Sequence, residues 1–477
     1  MENNELKRRT VISAISLFFQ SGYTAMLGFG ANIILTILLS PKIFGIFITV
    51  LSLISLLNYF SDIGLAASLI QKKEIDKEDI KSTFTIQQIL IITLVTLGFL
   101  ATPFIKSFYN LPLEGVYLYW ALLISFFLSS LKTIPSIFLE RKIQFQKIVF
   151  VQVIENSTFY FIVTILALLN YGLHSFTIAV VARALVGLVA IYIISPWVPK
   201  IGISFKHLKH LLSFGVPFQT SSFLALFKDD LIILFLGKAL GFEGVGYIGW
   251  AKKWAEAPIR IIMDNLSRVL FPVFARIQAD KEKTSRLVEK ILHYQTILLA
   301  PFLMGLSIIM PFMIEFIPKY TKWSPALPIF YLFIVAAFFS SYSTPFINLF
   351  NALGKVKISF SFMLIWTIIT WIFTPLFVTK FGLYGFPLVQ LILSLTSVAV
   401  VYKARKMLYF RFFNYVYKPL LSSGVMLIMT VLIINLTTAS FFSILLLITV
   451  GSISYISSLF LLKINLVTEF KLLFHNE

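Results

Sequence analysis

Long runs of apolar residues, separated by short polar segments, repeat along the whole chain. Most runs contain 18 to 27 residues, and a helix of about 20 apolar residues crosses the hydrocarbon core of a bilayer. The polar segments between them are too short to hold a separate domain. The pattern therefore predicts an all-α polytopic membrane protein with about fourteen transmembrane helices. The predicted spans are 11–39, 43–69, 84–102, 114–139, 148–169, 174–196, 211–237, 241–274, 291–317, 324–351, 358–379, 383–402, 416–437 and 440–462.

Composition agrees with this class of protein. Of the 477 residues, 58% are hydrophobic, whereas soluble domains contain about 45–50%. The net charge of +19 lies in the short loops, so it indicates membrane topology and not nucleic acid binding. The sequence has no cysteine, five dispersed histidines and no GxxxxGK[ST] motif. We therefore expect no metal site and no bound cofactor.

The distribution of Lys and Arg predicts the orientation of the chain in the membrane. With fourteen spans, 27 of the 40 Lys and Arg residues lie on the side of the N-terminus, 6 lie on the opposite side and 7 lie inside spans. Cytoplasmic loops are enriched in Lys and Arg. Both termini of this multi-pass protein are therefore expected in the cytoplasm.

Two segments resemble each other at a separation of about 201 residues. LLSPKIFGIF (38–47) and ALGFEGVGYI (239–248) share a leucine and a glycine at the same spacing, and the aspartates Asp62 and Asp264 follow. This separation equals six spans, which predicts a parallel repeat with the substrate path between its halves. Coincidence in leucine-rich sequence is the alternative. The predicted regions are an N-terminal six-helix lobe (1–210), a second six-helix lobe (211–405), and two additional helices with a tail (406–477).

Charged residues inside the predicted spans are the candidate functional groups. Seven unpaired cations at mid-membrane would cost about 17–25 kcal/mol, so they must face each other, an aqueous cavity or an interface. The seven cations are Lys132, Arg183, Lys228, Lys252, Lys253, Arg260 and Arg268. Four of them are predicted to bind substrate, with structural pairing as the alternative: Arg183, Lys228, Lys252 and Lys253. The candidates for coupling or gating are Asp62, Asp229, Asp230, Glu256, Arg260 and Asp264.

The segment KKWAEAPIRIIMDNLSR (252–268) places charges of alternating sign at every fourth residue. Residues four apart are neighbours on one helix face, which predicts an ion-pair ladder. Lys252 and Glu256 are expected to face the cavity, and the rest of the ladder to form a cytoplasmic rim or to contact the other half, with Arg268 as an interfacial anchor. Lys132 is expected to extend to the interface and Glu155 to lie near it. Positive charge in a cavity favours a diphosphate or an acidic sugar, and the alternatives for the energy source are a proton, a sodium ion and the membrane potential.

Six stretches carry a resemblance to a known family. They are ANIILTILLSPKIFGIF, FSDIGLAASLIQKKEID, ERKIQF, LLSFGVPFQ, KDDLIILFLGKALGFEGVGYIGWAKK and RVLFPVFARIQADKEK. The chain resembles Wzx-type polysaccharide flippases of the multidrug/oligosaccharidyl-lipid/polysaccharide exporter superfamily, in the branch of teichuronic and colanic acid exporters. The stretches span most of the first twelve helices, and the last two spans carry no family motif.

The resemblance implies a MATE-like fold, with two six-helix bundles around a central cavity that opens alternately to each side. It implies that the cargo is an undecaprenyl-diphosphate-linked oligosaccharide, moved to the outer leaflet of a bacterial cytoplasmic (inner) membrane for cell-surface polysaccharide biosynthesis. The implied partners are the bilayer, a polysaccharide polymerase and chain-length machinery. A cation-coupled multidrug exporter on the same fold is the main alternative. A membrane glycosyltransferase, polymerase or ligase would need longer outer loops, so no enzyme activity is expected, and the buried charges argue against a non-transporting scaffold.

Overall fold

Helices make up nearly all of the described structure. The computed structural model describes residues 2–72, 74–209, 211–213, 215, 227, 230–434 and 437–464, and no β-strand occurs among them. The helices with defined bounds are α1 (Glu2–Leu38), α2 (Pro41–Phe60), α3 (Leu65–Gln71), α4 (Lys77–Leu100), α5 (Thr102–Tyr109), α6 (Leu113–Ser130), α7 (Thr133–Arg141), α8 (Phe145–Leu168), α9 (His174–Ile194), α10 (Leu231–Ile277), α11 (Lys281–Phe316), α12 (Leu327–Ser341), α13 (Ser343–Ala352), α14 (Val356–Phe381), α15 (Gly385–Leu395), α16 (Ser397–Arg405), α17 (Phe412–Ile434) and α18 (Phe441–Leu461).

Twelve stretches of the described helices are long and apolar enough to cross a membrane. This confirms the predicted all-α, multi-pass architecture, although it does not confirm the predicted count of fourteen. One predicted span, 211–237, lies largely outside the described residues. Two others, 358–379 and 383–402, fall within one helical stretch, Val356–Arg405, which is interrupted at Gly382, where φ is 55°.

The predicted span 43–69 is divided in the structure. Helix α2 starts at Pro41, whose fixed φ suits the first helical position, and the side chain of Ser40 caps it by accepting from the amide of Ile43. The helix ends at Phe60, and α3 begins after Gly64, which has a left-handed φ of 76°. A Cβ on Gly64 would lie 2.2 Å from the carbonyl oxygen of Gly215. Glycine is therefore required both by the backbone conformation and by the close approach of another segment.

The chain forms two compact units, residues 1–246 and 247–477. In the first unit, α8 packs against α1 and α9, and α6 packs against α2, α4 and α9. Its main core contains fully buried side chains from α6, α8 and α9, such as Leu118, Leu123 and Val163.

In the second unit, α11, α17 and α18 pack together, and α15 packs against α12 and α14. A core of large apolar side chains includes Phe274, Phe346, Phe350 and Phe410, each with no exposed surface. The lobes 1–210 and 211–405 were predicted from the sequence repeat, and this division stays a prediction.

Candidate functional site

The two repeated segments contact each other backbone to backbone within the first unit. A Cβ on Gly45 would lie 1.5 Å from the carbonyl oxygen of Phe242, and a Cβ on Gly246 would lie 1.9 Å from that of Pro41. At the predicted offset of 201 residues, Pro41 corresponds to Phe242 and Gly45 to Gly246. Exchanging the two segments therefore reproduces the same contact, as at a two-fold axis. Each segment can approach this closely only because both positions are glycine.

A row of polar side chains joins α1 and α8 inside otherwise apolar helices. The hydroxyl groups of Tyr23 and Ser157 lie 2.8 Å apart, and Asn156 donates to the hydroxyl oxygen of Thr24 over 3.3 Å. These side chains are half-buried, so part of their hydrogen-bonding capacity remains accessible. None of them is among the candidates predicted from the sequence, although the polar residues of QSGYT and ENST stand out within the apolar spans 11–39 and 148–169. We name this row the α1–α8 polar strip: Gln20, Tyr23, Thr24, Gln152, Asn156 and Ser157.

Arg183 on α9 lies against α8, the helix that contributes Gln152, Asn156 and Ser157 to this strip. The central carbon of its guanidinium group is 5.9 Å from the centre of the Phe159 ring, and its side chain is exposed. Within the described part of the chain, no Asp or Glu forms an ion pair with it. An exposed cation between apolar helices has no protein counter-charge here, so it is available to an anionic ligand.

Lys132 and Glu155 form a buried ion pair, while the expectation that both lie near a membrane interface stays a prediction. The exposed fractions of the two side chains are 18% and 8%. Glu155 also packs on the backbone of α9, where a Cβ on Gly187 would lie 1.7 Å from Oε1 of Glu155. Lys132 is therefore neutralised by a protein carboxylate, unlike Arg183.

The charge ladder on α10 begins with paired residues. Glu256 lies 3.8 Å from Nζ of Lys252 and 3.1 Å from a guanidinium nitrogen of Arg260. Lys252 also lies 5.9 Å from the centre of the Phe386 ring. Lys253, on the neighbouring face, is exposed. The helix continues through Asp264 and Arg268, but their side chains lie outside the description.

The remaining candidates lie near helix ends. The carboxylate of Asp62 accepts from the amide of Ala66 over 3.1 Å, which stabilises the start of α3. The carbonyl oxygen of Asp230 accepts from the amide of Ile233 over 3.1 Å at the start of α10. Lys228 and Asp229 lie outside the described residues. The roles assigned to these residues remain predictions.

A polar cluster at the start of α4 contains the one described group of side chains that could hold a metal ion. Ligand atoms of Asp76, Asp79 and His207 lie within 4.8 Å of one another. However, Nζ of Lys72 lies 2.6 Å from Asp79, and Nε2 of His207 lies 3.0 Å from Asp76. Asp79 is thus neutralised by Lys72, Asp76 is engaged by His207, and the cluster serves to cap α4.

An apolar groove of about 740 Å³ runs between α11, α17 and α18. Side chains such as Leu298, Phe302, Leu447 and Ile456 form its walls, and Gly451 leaves space where a side chain would stand. The predicted spans at 416–437 and 440–462 carry no motif, so this groove was not predictable from the sequence. Its walls suit a hydrocarbon chain and not a sugar.

The fold places the protein in the architecture of flippases and multidrug transporters. The structure titled "Lipid II flippase MurJ, inward closed conformation" is similar with a TM-score of 0.74 and 18% identity, covering 94% of this chain and 98% of that chain. An inward-facing multidrug resistance MATE family transporter of the MOP superfamily gives a TM-score of 0.62 and 16% identity, covering 79% of this chain and 93% of that chain. These similarities confirm the predicted MATE-like fold.

Sequence comparison then defines the family. Residues 34–328 match the family described as "Polysaccharide biosynthesis protein", so the chain belongs to this family. It is 25% identical to the succinoglycan biosynthesis transport protein ExoT of Rhizobium meliloti, over 71% of this chain and 68% of the relative. It is 27% identical to the lipopolysaccharide biosynthesis protein WzxC of Escherichia coli, over 76% and 74%. The predicted resemblance is confirmed, and the protein is a membrane transporter of polysaccharide biosynthesis and not an enzyme.

Proposed function

We propose that the protein moves an undecaprenyl-diphosphate-linked oligosaccharide across the bacterial cytoplasmic membrane by alternating access. In this proposal the cargo is assembled on the cytoplasmic leaflet and delivered to the outer leaflet, for a polysaccharide of the O-antigen, exopolysaccharide or capsule type. The predicted lobes 1–210 and 211–405 rock against each other, and both termini lie in the cytoplasm. A polysaccharide polymerase and chain-length machinery would act on the delivered cargo.

One observation carries the proposal: the guanidinium of Arg183, which has no ion-pair partner among the described residues, lies against α8, the helix that also carries half of the α1–α8 polar strip. A sugar–diphosphate head group presents many hydroxyl groups and two phosphates. Half-buried amide and hydroxyl side chains, such as Asn156 and Ser157, are suited to bind the sugars. An arginine without a protein counter-charge is suited to bind a phosphate through two parallel hydrogen bonds.

The apolar groove between α11, α17 and α18 supports a lipid-linked cargo. An isoprenoid chain attached to the head group must stay in an apolar environment during transport, because each buried methylene group contributes about 0.8 kcal/mol. A groove lined by residues such as Phe302 and Leu447 offers that environment. A soluble drug would not need it.

The charges of the ladder disfavour the alternative, a cation-coupled multidrug exporter. Such an exporter requires a carboxylate that is available to a cation. Glu256 instead lies between Lys252 and Arg260, and these three side chains together carry a net positive charge. The same arrangement suits an anionic cargo.

The test is transbilayer movement in proteoliposomes that contain a fluorescent undecaprenyl-diphosphate oligosaccharide. The signal is protection from a quencher that does not cross the membrane, measured with and without a membrane potential. Protein-free vesicles give the background. Absence of movement above this background, across several glycans, would show that the proposed function is wrong. Export of a cationic dye against its gradient, with no lipid movement, would favour the multidrug exporter.

The site is tested separately with variants of Arg183. Arg183→Gln should slow transport about tenfold or more, because hydrogen bonds to charged groups contribute about 1.5–3 kcal/mol. Arg183→Lys keeps the charge and should retain part of the rate. Lys200→Gln removes the same charge from an exposed loop residue of the same unit and should transport normally. If Arg183→Gln also transports normally, the site assignment fails while the function stands.

A further inference from the structure

The C-terminal third of the chain carries cations without acids. No Asp or Glu occurs between Glu315 and Glu469, whereas this interval contains eleven Lys and Arg residues. In a compact protein such cations would normally find carboxylates close in sequence or across a helix interface. The eleven are Lys319, Lys322, Lys355, Lys357, Lys380, Lys403, Arg405, Lys406, Arg411, Lys418 and Lys463.

Five of these cations cluster at the turn between α16 and α17. In the described part of the chain, none of the five forms an ion pair with an Asp or Glu. The nearest acid is Glu289, which accepts from the backbone amide of Arg411 over 2.8 Å. Lys406 lies over the ring of Tyr402, 4.7 Å from its centre. The five are Lys403, Arg405, Lys406, Arg411 and Lys418.

A cavity of about 420 Å³ lies at the same turn, between α12, α16 and α17. Its walls are aromatic and aliphatic, and include Phe338, Val401 and Phe413, while Arg405 also lines it. Tyr402 and Phe413 are 60% and 72% exposed. A cavity with apolar walls and an exposed guanidinium combines the two properties of a phospholipid site, in which the acyl chain and the phosphate are bound side by side.

We propose that this cavity binds an anionic phospholipid of the bilayer, with the phosphate on Arg405 and an acyl chain against Val401 and Phe413. The Lys and Arg count places this turn on the side of the predicted cytoplasmic loops, where anionic lipids attract basic residues. The remaining cations of the turn raise the local concentration of anionic lipid. The negative charge that this part of the chain lacks is thus supplied by the membrane.

The bound lipid is a membrane phospholipid and not the transported cargo. The groove assigned above to the isoprenoid chain lies between α11, α17 and α18, whereas this cavity lies between α12, α16 and α17. The two share no lining residue. The inference therefore holds whether or not the proposed cargo is correct.

Native mass spectrometry of the full-length protein tests the site. The purified protein is titrated with phosphatidylglycerol, and separately with phosphatidylcholine of the same acyl chains. Phosphatidylglycerol should bind in one tighter step, and Arg405→Gln should weaken this step about fivefold, equivalent to the roughly 1 kcal/mol that one basic residue contributes near an anionic surface. Lys403→Gln is the matched control, since it removes the same charge from an exposed residue two positions away that does not line the cavity. It should weaken the tighter step far less than Arg405→Gln, since Lys403 acts only through the local concentration of lipid.

Three results would overturn the assignment. In the first, Arg405→Gln binds phosphatidylglycerol as tightly as the wild type. In the second, phosphatidylcholine binds equally tightly, which would mean that the charge is irrelevant. In the third, undecaprenyl phosphate displaces phosphatidylglycerol from the Arg405-dependent step at lower concentration, which would make this cavity a site for the cargo lipid.

Discussion

Removing one of the two buried charges of Lys132 and Glu155 should destabilise the first unit far more than removing both. The side chain of Glu155 is 8% exposed and that of Lys132 is 18% exposed, so neither charge is well hydrated once its partner is gone. Loss of one partner of a buried pair costs about 3–5 kcal/mol. Lys132→Met leaves the more buried charge behind, so it should lie at the upper end of that range, with Glu155→Gln at the lower end.

The double variant Lys132→Met/Glu155→Gln should recover most of this loss, because replacing a buried pair by uncharged groups of similar volume is often close to neutral. The measurement is the free energy of unfolding in detergent micelles, combined as a double-mutant cycle. We expect a coupling energy of about 3 kcal/mol. A coupling energy below about 0.5 kcal/mol would mean that the two charges are solvated independently, and the description of the pair as buried would be wrong.

Gly187 provides an independent check on the same pair. A Cβ at this position would lie 1.7 Å from Oε1 of Glu155, where real Cβ contacts are essentially never under 3.0 Å. Gly187→Ala should therefore displace the carboxylate and destabilise the wild type. In a background of Lys132→Ala/Glu155→Ala the space is vacant, so the same substitution should be tolerated. An equal penalty in both backgrounds would contradict the packing described here.

Two further predictions concern the repeat contact and the start of α4. Gly246→Val should abolish most transport in proteoliposomes, because the new Cβ would lie 1.9 Å from the carbonyl oxygen of Pro41. The control Gly424→Val should transport normally, because no atom lies within 4 Å of a Cβ at that position. Equal activities of the two variants would refute the close contact. Asp76→Ala should lower the free energy of unfolding by about 1 kcal/mol through loss of the helix cap. The hydrogen bond from the backbone amide of Asp79 lowers the pKa of Asp76, so the cap stabilises the fold at neutral pH and is lost as the pH falls through that lowered pKa. In denaturant titrations, Asp76→Ala should therefore lose less stability on acidification than the wild type. An unchanged pH dependence would exclude the cap.

Apolar runs and loop charges were sufficient to predict the helices and the class of protein, because these depend on properties averaged over about twenty residues. The family resemblance came from specific stretches such as ANIILTILLSPKIFGIF. Interruptions were not predictable in this way. The break between α2 and α3 depends on the positive φ of Ile63 and Gly64, which hydropathy does not register. The predicted span 43–69 therefore continues across this break.

The candidate site was predicted only where partners are close in sequence. Lys252, Glu256 and Arg260 are four residues apart, and helix geometry alone brings them together. Lys132 and Glu155 are 23 residues apart on different elements, so their pairing depends on how α8 packs. The α1–α8 polar strip joins side chains more than 130 residues apart. Its pairing requires the tertiary structure.

The glycine contact between the two similar segments has a consequence for how such a chain can vary. In the predicted parallel repeat, this geometry is the one that two copies of a half-length chain would form across a two-fold axis, each contributing a helix start. Both sides of the contact then lie within one polypeptide. A mutation in either copy then disturbs an interaction that both copies share, so Gly45 and Gly246 cannot diverge independently even though 200 residues lie between them.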